Sequence, residues 1–183
     1  MVIKSLINKY KETSDLNRFL IKGGALFMLW RVFRKWMFLK GQFTDFTQIA
    51  SVVYLKVARF FLDILGYDTA INYAERKLWI TGANNAIEII YDCLGLNLFF
   101  IFIIFILAYP GSYKIKLWFI PAGLIDIFLL NAMRMAALTP IVANKPHLMD
   151  LYHHFIFQGV IYLYIFGAWW LFTKISSKKT AFN

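Results

Sequence analysis

Two apolar runs without a charged residue, 94–109 and 155–172, flank a third, 117–137, whose only charges are Asp126 and Arg134. Runs of this length and composition can meet their own backbone hydrogen bonds as helices, and they find their apolar solvent in a lipid bilayer. The rest of the composition agrees: 60% of the 183 residues are hydrophobic, 19% are aromatic, and the mean hydropathy is +0.58, far above a soluble domain of this size. The expected fold class is therefore all-α. It is a polytopic α-helical membrane protein with about four to five membrane helices, forming one integral membrane domain over 1–183.

Cysteine and charge narrow the functional classes. A single cysteine, Cys93, excludes an intrachain disulfide and any thiolate-rich zinc site, so packing in lipid must hold the fold. The net charge of +10 would point to nucleic acid in a soluble chain. Here the basic residues sit largely at the ends of apolar runs, where anionic headgroups attract them, so membrane lipids are the expected partner and nucleic acid is not.

Before the three runs the pattern is mixed. Residues 1–18, with Lys4, Lys9, Lys11 and Arg18, read as a polar leader without the compact apolar core of a cleavable signal peptide. Segment 19–39 is a first span that must let Lys22, Arg31, Arg34 and Lys35 snorkel. Segment 48–65 places Lys56, Arg59 and Asp63 three and four residues apart on one helical face, which suits an amphipathic interfacial helix slightly better than a span. Segment 66–92 lies outside the bilayer. Within it, two β-rich arms around Gly82-Ala83-Asn84-Asn85 predict a small hairpin or a surface loop leading into Cys93. The three-span core is 93–173, with a basic loop at 112–116, a stop at Thr139-Pro140 and a polar loop at 144–154.

Topology brings distant residues together. Lys114 and Lys116 precede the second of the three spans, and Lys174, Lys178 and Lys179 follow the third, so both clusters fall on one side, which the positive-inside rule makes cytoplasmic. Cys93 then begins its helix at the outer surface. Arg134 lies 17 residues beyond Leu117, a rise of about 26 Å, which carries it close to that same surface. His153 and His154 open the next helix there.

Each of these residues has a plain structural reading. A lone cysteine in an apolar chain is commonly a small buried hydrophobe. Arg134, which costs about 2.5 to 3.5 kcal/mol at a span centre, could snorkel or pair with Asp126. The histidines could be a solvated interfacial pair. His147, His153 and His154 lack an acidic partner at zinc-type spacing, so no metal and no cofactor are expected. Together, however, thiol, imidazole and guanidinium describe acyl transfer. A thiol in the first turn of a helix is favoured as thiolate, Gly95 opens the backbone to a substrate, histidine moves the proton and arginine offsets the developing oxyanion. Asp92, beside the thiol, works against the thiolate.

The order Cys93-Leu94-Gly95 at the head of one span, Asn131-Ala132-Met133-Arg134 late in the next and His153-His154 opening the third resembles the exosortase/archaeosortase family of membrane cysteine transpeptidases. The likeness covers about 84–174 and rests on the combination of Cys-x-Gly, Asn-x-x-Arg and His at those positions. It implies cleavage of a C-terminal sorting signal (a short motif, an apolar helix and a basic tail) on exported proteins, at the outer face of the bacterial inner membrane. It also implies transfer to a cell-surface acceptor associated with polysaccharide or glycolipid. Cys93 would be the nucleophile, Arg134 the oxyanion or thiolate stabiliser, and His154 or His153 the acid/base, with a slight preference for His154. Two other classes compete: a non-enzymatic membrane scaffold or assembly subunit, and a small transporter subunit with Asp126 and Arg134 lining a polar path.

Overall fold

The computed structural model describes residues 14–39 and 42–180, and side chains are described for most of them. Lys4, Lys9 and Lys11 of the leader, and the side chains of Asp92, Lys178 and Lys179, lie outside what is described. Among the described residues there are five α-helices: α1 (Asp15–Leu39), α2 (Gln42–Ile64), α3 (Leu96–Ala108), α4 (Tyr113–Asn144) and α5 (Phe157–Thr180). Three short strands, β1 (Thr69–Asn72), β2 (Lys77–Ile80) and β3 (Ile87–Glu88), form an antiparallel sheet in sequential order. The fold is thus mostly helical but not purely α. Two stretches, Tyr113–Asn144 and Pro146–Ser176, are long and apolar enough to cross a membrane, and Leu96–Ala108 is a shorter apolar helix.

The sheet holds the expected hairpin and one strand more. β2 pairs with β3 through Lys77↔Glu88 and Leu78↔Ile87, across the predicted Gly-Ala-Asn-Asn turn. β1 pairs with β2 over four positions from Thr69↔Ile80 to Asn72↔Lys77. Its turn contains no glycine or proline. Instead Asn72 Oδ1 accepts the backbone N–H groups of Ala74 and Glu75 at 3.0 and 3.1 Å, and Arg76 takes a positive φ of 55°. An asparagine side chain imitating a backbone turn does the work that turn-forming glycine usually does.

α2 is amphipathic as the charge spacing predicts. Ser51, Tyr54, Leu55, Ala58 and Leu62 are buried, whereas Lys56, Arg59 and Asp63 are exposed and Arg59 pairs with Asp63 at 3.6 Å. Its buried face meets Leu78, Ile87 and Ile89 from the sheet region and Ala132, Met135 and Ala136 from α4, and Cys93 and Leu94 lie in that same core. A second core joins α3, α4 and α5 around Phe102, Ile127, Ile161 and Phe172. At Gly123 the ring of Phe102 occupies the place where a β-carbon would project, so glycine lets α3 and α4 approach closely.

Three boundaries differ from expectation. α4 does not begin after a basic loop or stop at Thr139-Pro140; it runs through Pro121 and Pro140 to Asn144. Near the second proline, the Thr139 hydroxyl donates to the Met135 carbonyl at 2.9 Å and Asn144 Nδ2 to the Pro140 carbonyl at 2.9 Å. Lys116 turns inward. It is buried and donates to the carbonyls of Leu107 and Tyr109 at 3.1 and 2.7 Å, closing the end of α3. The polar loop at 144–154 is replaced by a 3-10 turn, Pro146–Leu148, and a π-helical turn, Leu151–Ile156, that feeds directly into α5.

Candidate active site

Cys93 sits in a single 3-10 turn, Tyr91–Leu94, and not in the first turn of α3 as its sequence context suggested. Gly95, at φ +66°, separates the turn from the helix. The left-handed conformation is glycine's own, and it is needed here for a second reason: a β-carbon at 95 would stand 3.2 Å from Asn131 Nδ2. The space beside Gly95, expected to admit a substrate, is taken on that side by Asn131.

Two buried hydrogen bonds fix the turn from opposite helices. Asn131 Nδ2, on α4, donates to the Cys93 carbonyl at 2.6 Å. The Tyr54 hydroxyl, on α2, donates to the Leu94 carbonyl at 3.0 Å. Asn131 and Tyr54 are 0% and 2% exposed, so neither bond competes with water. Sequence reasoning noted Asn131 as the first residue of the Asn-x-x-Arg pattern, without a role of its own, and did not single out Tyr54. Its one signal is a hydroxyl-bearing ring within the apolar face of an amphipathic helix.

Arg134 stands one turn beyond Asn131 and is 7% exposed. Its Nη2 lies 2.8 Å from His153 Nε2, and its guanidinium also hydrogen-bonds the Cys93 side chain. A guanidinium can only donate, so Nε2 is the acceptor and the imidazole is neutral, with its proton on Nδ1. The Cys93 sulfur is 3.6 Å from the same Nε2. Thiol, imidazole and guanidinium, from a turn before α3, from α4 and from the turn leading into α5, therefore converge on one nitrogen. Asp126, the carboxylate considered for Arg134, instead accepts a hydrogen bond from Tyr164 at 2.7 Å.

The two histidines are not equivalent. His153 makes both contacts, whereas His154 packs edge-on against the His153 ring at a centroid distance of 4.6 Å and lines the adjoining cavity. The slight sequence preference for His154 finds no counterpart in the contacts to sulfur. Consecutive residues on a helical turn face different ways, and here position 153 faces the thiol. Among the described residues, no three His, Cys, Asp or Glu side chains gather as a metal site.

The cavity beside this cluster has a volume of about 240 Å³. Its walls are the first turn of α3 from Gly95 to Leu98, then Arg134, His153, His154, Gln158 and Tyr162. Gln158 donates to the Tyr162 hydroxyl at 3.2 Å, and Asn97 accepts a hydrogen bond from Arg34 of α1 at 3.3 Å. Cys93 is 5% exposed and is not among the residues that line the cavity. The lining combines the polar side chains of Asn97, Arg134, His153, His154, Gln158 and Tyr162 with apolar Leu96 and Leu98. Comparison with known proteins finds no family model, no curated protein and no solved structure that matches the chain.

Proposed function

We propose that the chain is an exosortase-like cysteine peptidase or transpeptidase that cleaves C-terminal sorting signals of exported proteins. The observation that carries this is the convergence of Cys93, Arg134 and His153 from three segments well separated in sequence, beside a cavity. A buried arginine bonded to a histidine and a thiol is an expensive arrangement to keep for packing alone. In the proposed reaction Arg134 moves from His153 Nε2 onto the sulfur as the thiol proton passes to the nitrogen so freed, and the guanidinium holds the thiolate. Sulfur attacks the peptide carbonyl, the C–N bond breaks, and the amine leaves with the proton from His153. Water or a nucleophile of a cell-surface acceptor, associated with polysaccharide or glycolipid, releases the acyl group in the second half-reaction.

The proposed setting is the bacterial inner membrane, with α1, α3, α4 and α5 crossing and α2 at the interface or also crossing. The site would face outward. One contact supports a common basic end opposite the site. Ser176, near the end of α5, donates to the Pro110 carbonyl at 3.4 Å, just before α4 begins. Lys114 and Lys174 thus share the end remote from Cys93, as the positive-inside rule requires for a cytoplasmic face.

The test is cleavage of a co-expressed exported protein bearing a C-terminal motif, apolar helix and basic tail, normalised to inserted enzyme. Cys93→Ala should abolish it, and His153→Gln should lower it by about 10² or more, the range expected for a lost acid/base. His154→Gln should be much less impaired than His153→Gln. Parental cleavage by Cys93→Ala would return the chain to the scaffold class. The opposite order of the two histidine variants would move the acid/base role to His154.

A further inference from the structure

We propose that this chain associates with copies of itself in the membrane, through a pairing of Asp126 on one copy with Arg31 on the next. The pairing rests on the membrane setting above and is independent of the peptidase chemistry. Asp126 is the sole acidic residue of α3, α4 and α5. It is exposed, accepts a hydrogen bond from the Tyr164 hydroxyl of α5 at 2.7 Å, and has no ion-pair partner among the described residues. One neutral hydroxyl supplies no opposite charge. A carboxylate on the outward side of a span is costly, and such groups ordinarily meet a partner.

Asp126 and Tyr164 stand in the wall of a groove of about 460 Å³ between α4 and α5. Ala122, Gly123, Gly167 and Ala168 line it as well, and a β-carbon added at Gly167 would meet nothing within 4 Å. Small residues let another helix come close in lipid, and the charge decides which helix. The opposite charge is on α1. That helix carries Arg18, Lys22, Arg31, Arg34 and Lys35 against a single acidic residue, Asp15, at its start. Arg34 donates to Asn97 at 3.3 Å, whereas the exposed Arg31 guanidinium has no ion-pair or hydrogen-bond partner among the described residues. Met28, Leu29 and Val32 around it are exposed apolar side chains, a surface made for lipid or another helix.

The two groups lie at the same depth. α1 runs antiparallel to α3, since Phe19 meets Phe105 and Tyr109, Trp30 stacks on Phe100 and Arg34 reaches Asn97. Arg31, one residue past Trp30 toward Asn97, is therefore level with Phe99. α4 also runs antiparallel to α3, with Gly123 against the Phe102 ring and Asn131 against Gly95. Asp126 is three residues from Gly123 toward Asn131, a rise of about 4.5 Å, which brings it level with Phe99 too. Lys22 lies far below that level and Lys35 a turn above it. A second copy, held in the same orientation by the bilayer, thus presents Arg31 at the height where Asp126 lacks a cation. The guanidinium fork matches a carboxylate better than an ammonium does. The contact joins unlike surfaces, so every copy offers both halves.

The test is energy transfer between donor- and acceptor-labelled copies of the full chain, each dye on an added C-terminal tag, in liposomes over a series of protein-to-lipid ratios. The parent should associate. Arg31→Asp alone and Asp126→Arg alone should each stay apart, because each sets like charges against one another. Mixing these two variants should restore transfer, since Asp126 of the first meets Arg31 of the second and the two introduced charges meet in turn. If the reversed variants fail to insert, Arg31→Gln and Asp126→Asn decide, each expected to weaken association by about fivefold or more, the scale of one interhelical polar contact. Gly167→Leu, which fills the groove, should do the same. A monomeric parent, neutral variants that associate like the parent, or reversed variants that insert but do not recover on mixing would each overturn the pairing. Recovery of the chain in the soluble fraction of cells would overturn the membrane setting, and the pairing with it.

Discussion

Arg134 has two neighbours to serve with one side chain: the imidazole of His153 and the thiol of Cys93. Only a planar fork can do this, because its donors point in fixed and different directions. Lysine would keep the charge and roughly the insertion cost, but it is a compact ammonium on a flexible stem. Arg134→Lys is therefore expected to accumulate in the membrane normally yet to lose about 10² or more in substrate cleavage, measured against inserted protein. Near-parental cleavage by the lysine variant would assign Arg134 a purely electrostatic or structural part. At this scale Cys93, Arg134 and the histidine pair were legible in the sequence, since each is an ionisable group that an apolar chain carries at a cost. The choice between His153 and His154 was not, because it depends on the phase of the π-helical turn at Leu151–Ile156, and the pattern of apolar residues there does not fix that phase. Tyr54 was invisible for another reason: its partner is a backbone carbonyl 40 residues away, which leaves no mark in the local sequence.

The helices explain why those side chains meet. α4 runs 32 residues, a rise of about 48 Å, against a hydrocarbon core of about 30 Å. It is long enough for its two ends to reach opposite sides of a bilayer, as the proposed topology requires, with Ser112 at the start and Asn144 at the finish, both exposed. Cysteines introduced singly at Ser112 and Asn144 in a Cys93→Ala background should label differently with an impermeant thiol reagent in intact cells, Asn144 reacting and Ser112 protected. Equal labelling of the two would contradict the arrangement. The apolar runs announced the long helices, but the end of α4 was misjudged because Pro140 was taken as a stop. Pro140 breaks a helix in water, whereas here α4 continues through it to Asn144, in a stretch apolar enough to cross a membrane. β1 was missed because Asn72 closes its turn without the glycine that signals a hairpin.

As a whole the molecule has two unlike ends joined by packed helices. One end carries Lys114 and Lys174, while Lys116 is drawn inside to close α3. The other carries the sheet, which together with α2 packs beneath the cysteine turn, and Asn131 and Tyr54 hold that turn at two successive carbonyls. Cys93, Arg134 and His153 are thus held by the core itself, at the end of the helix bundle that the proposed substrate would meet. The most direct test of this account is to look for the covalent intermediate. Membranes from cells co-expressing enzyme and sorting-signal substrate would be acid-quenched, digested and measured by mass spectrometry for a hydroxylamine-labile acyl adduct on the peptide containing Cys93. The account predicts that adduct in the parent, and neither adduct nor cleavage in Cys93→Ala. Substrate cleavage at the parental rate by Cys93→Ala, with no adduct on the parent's Cys93, would contradict it.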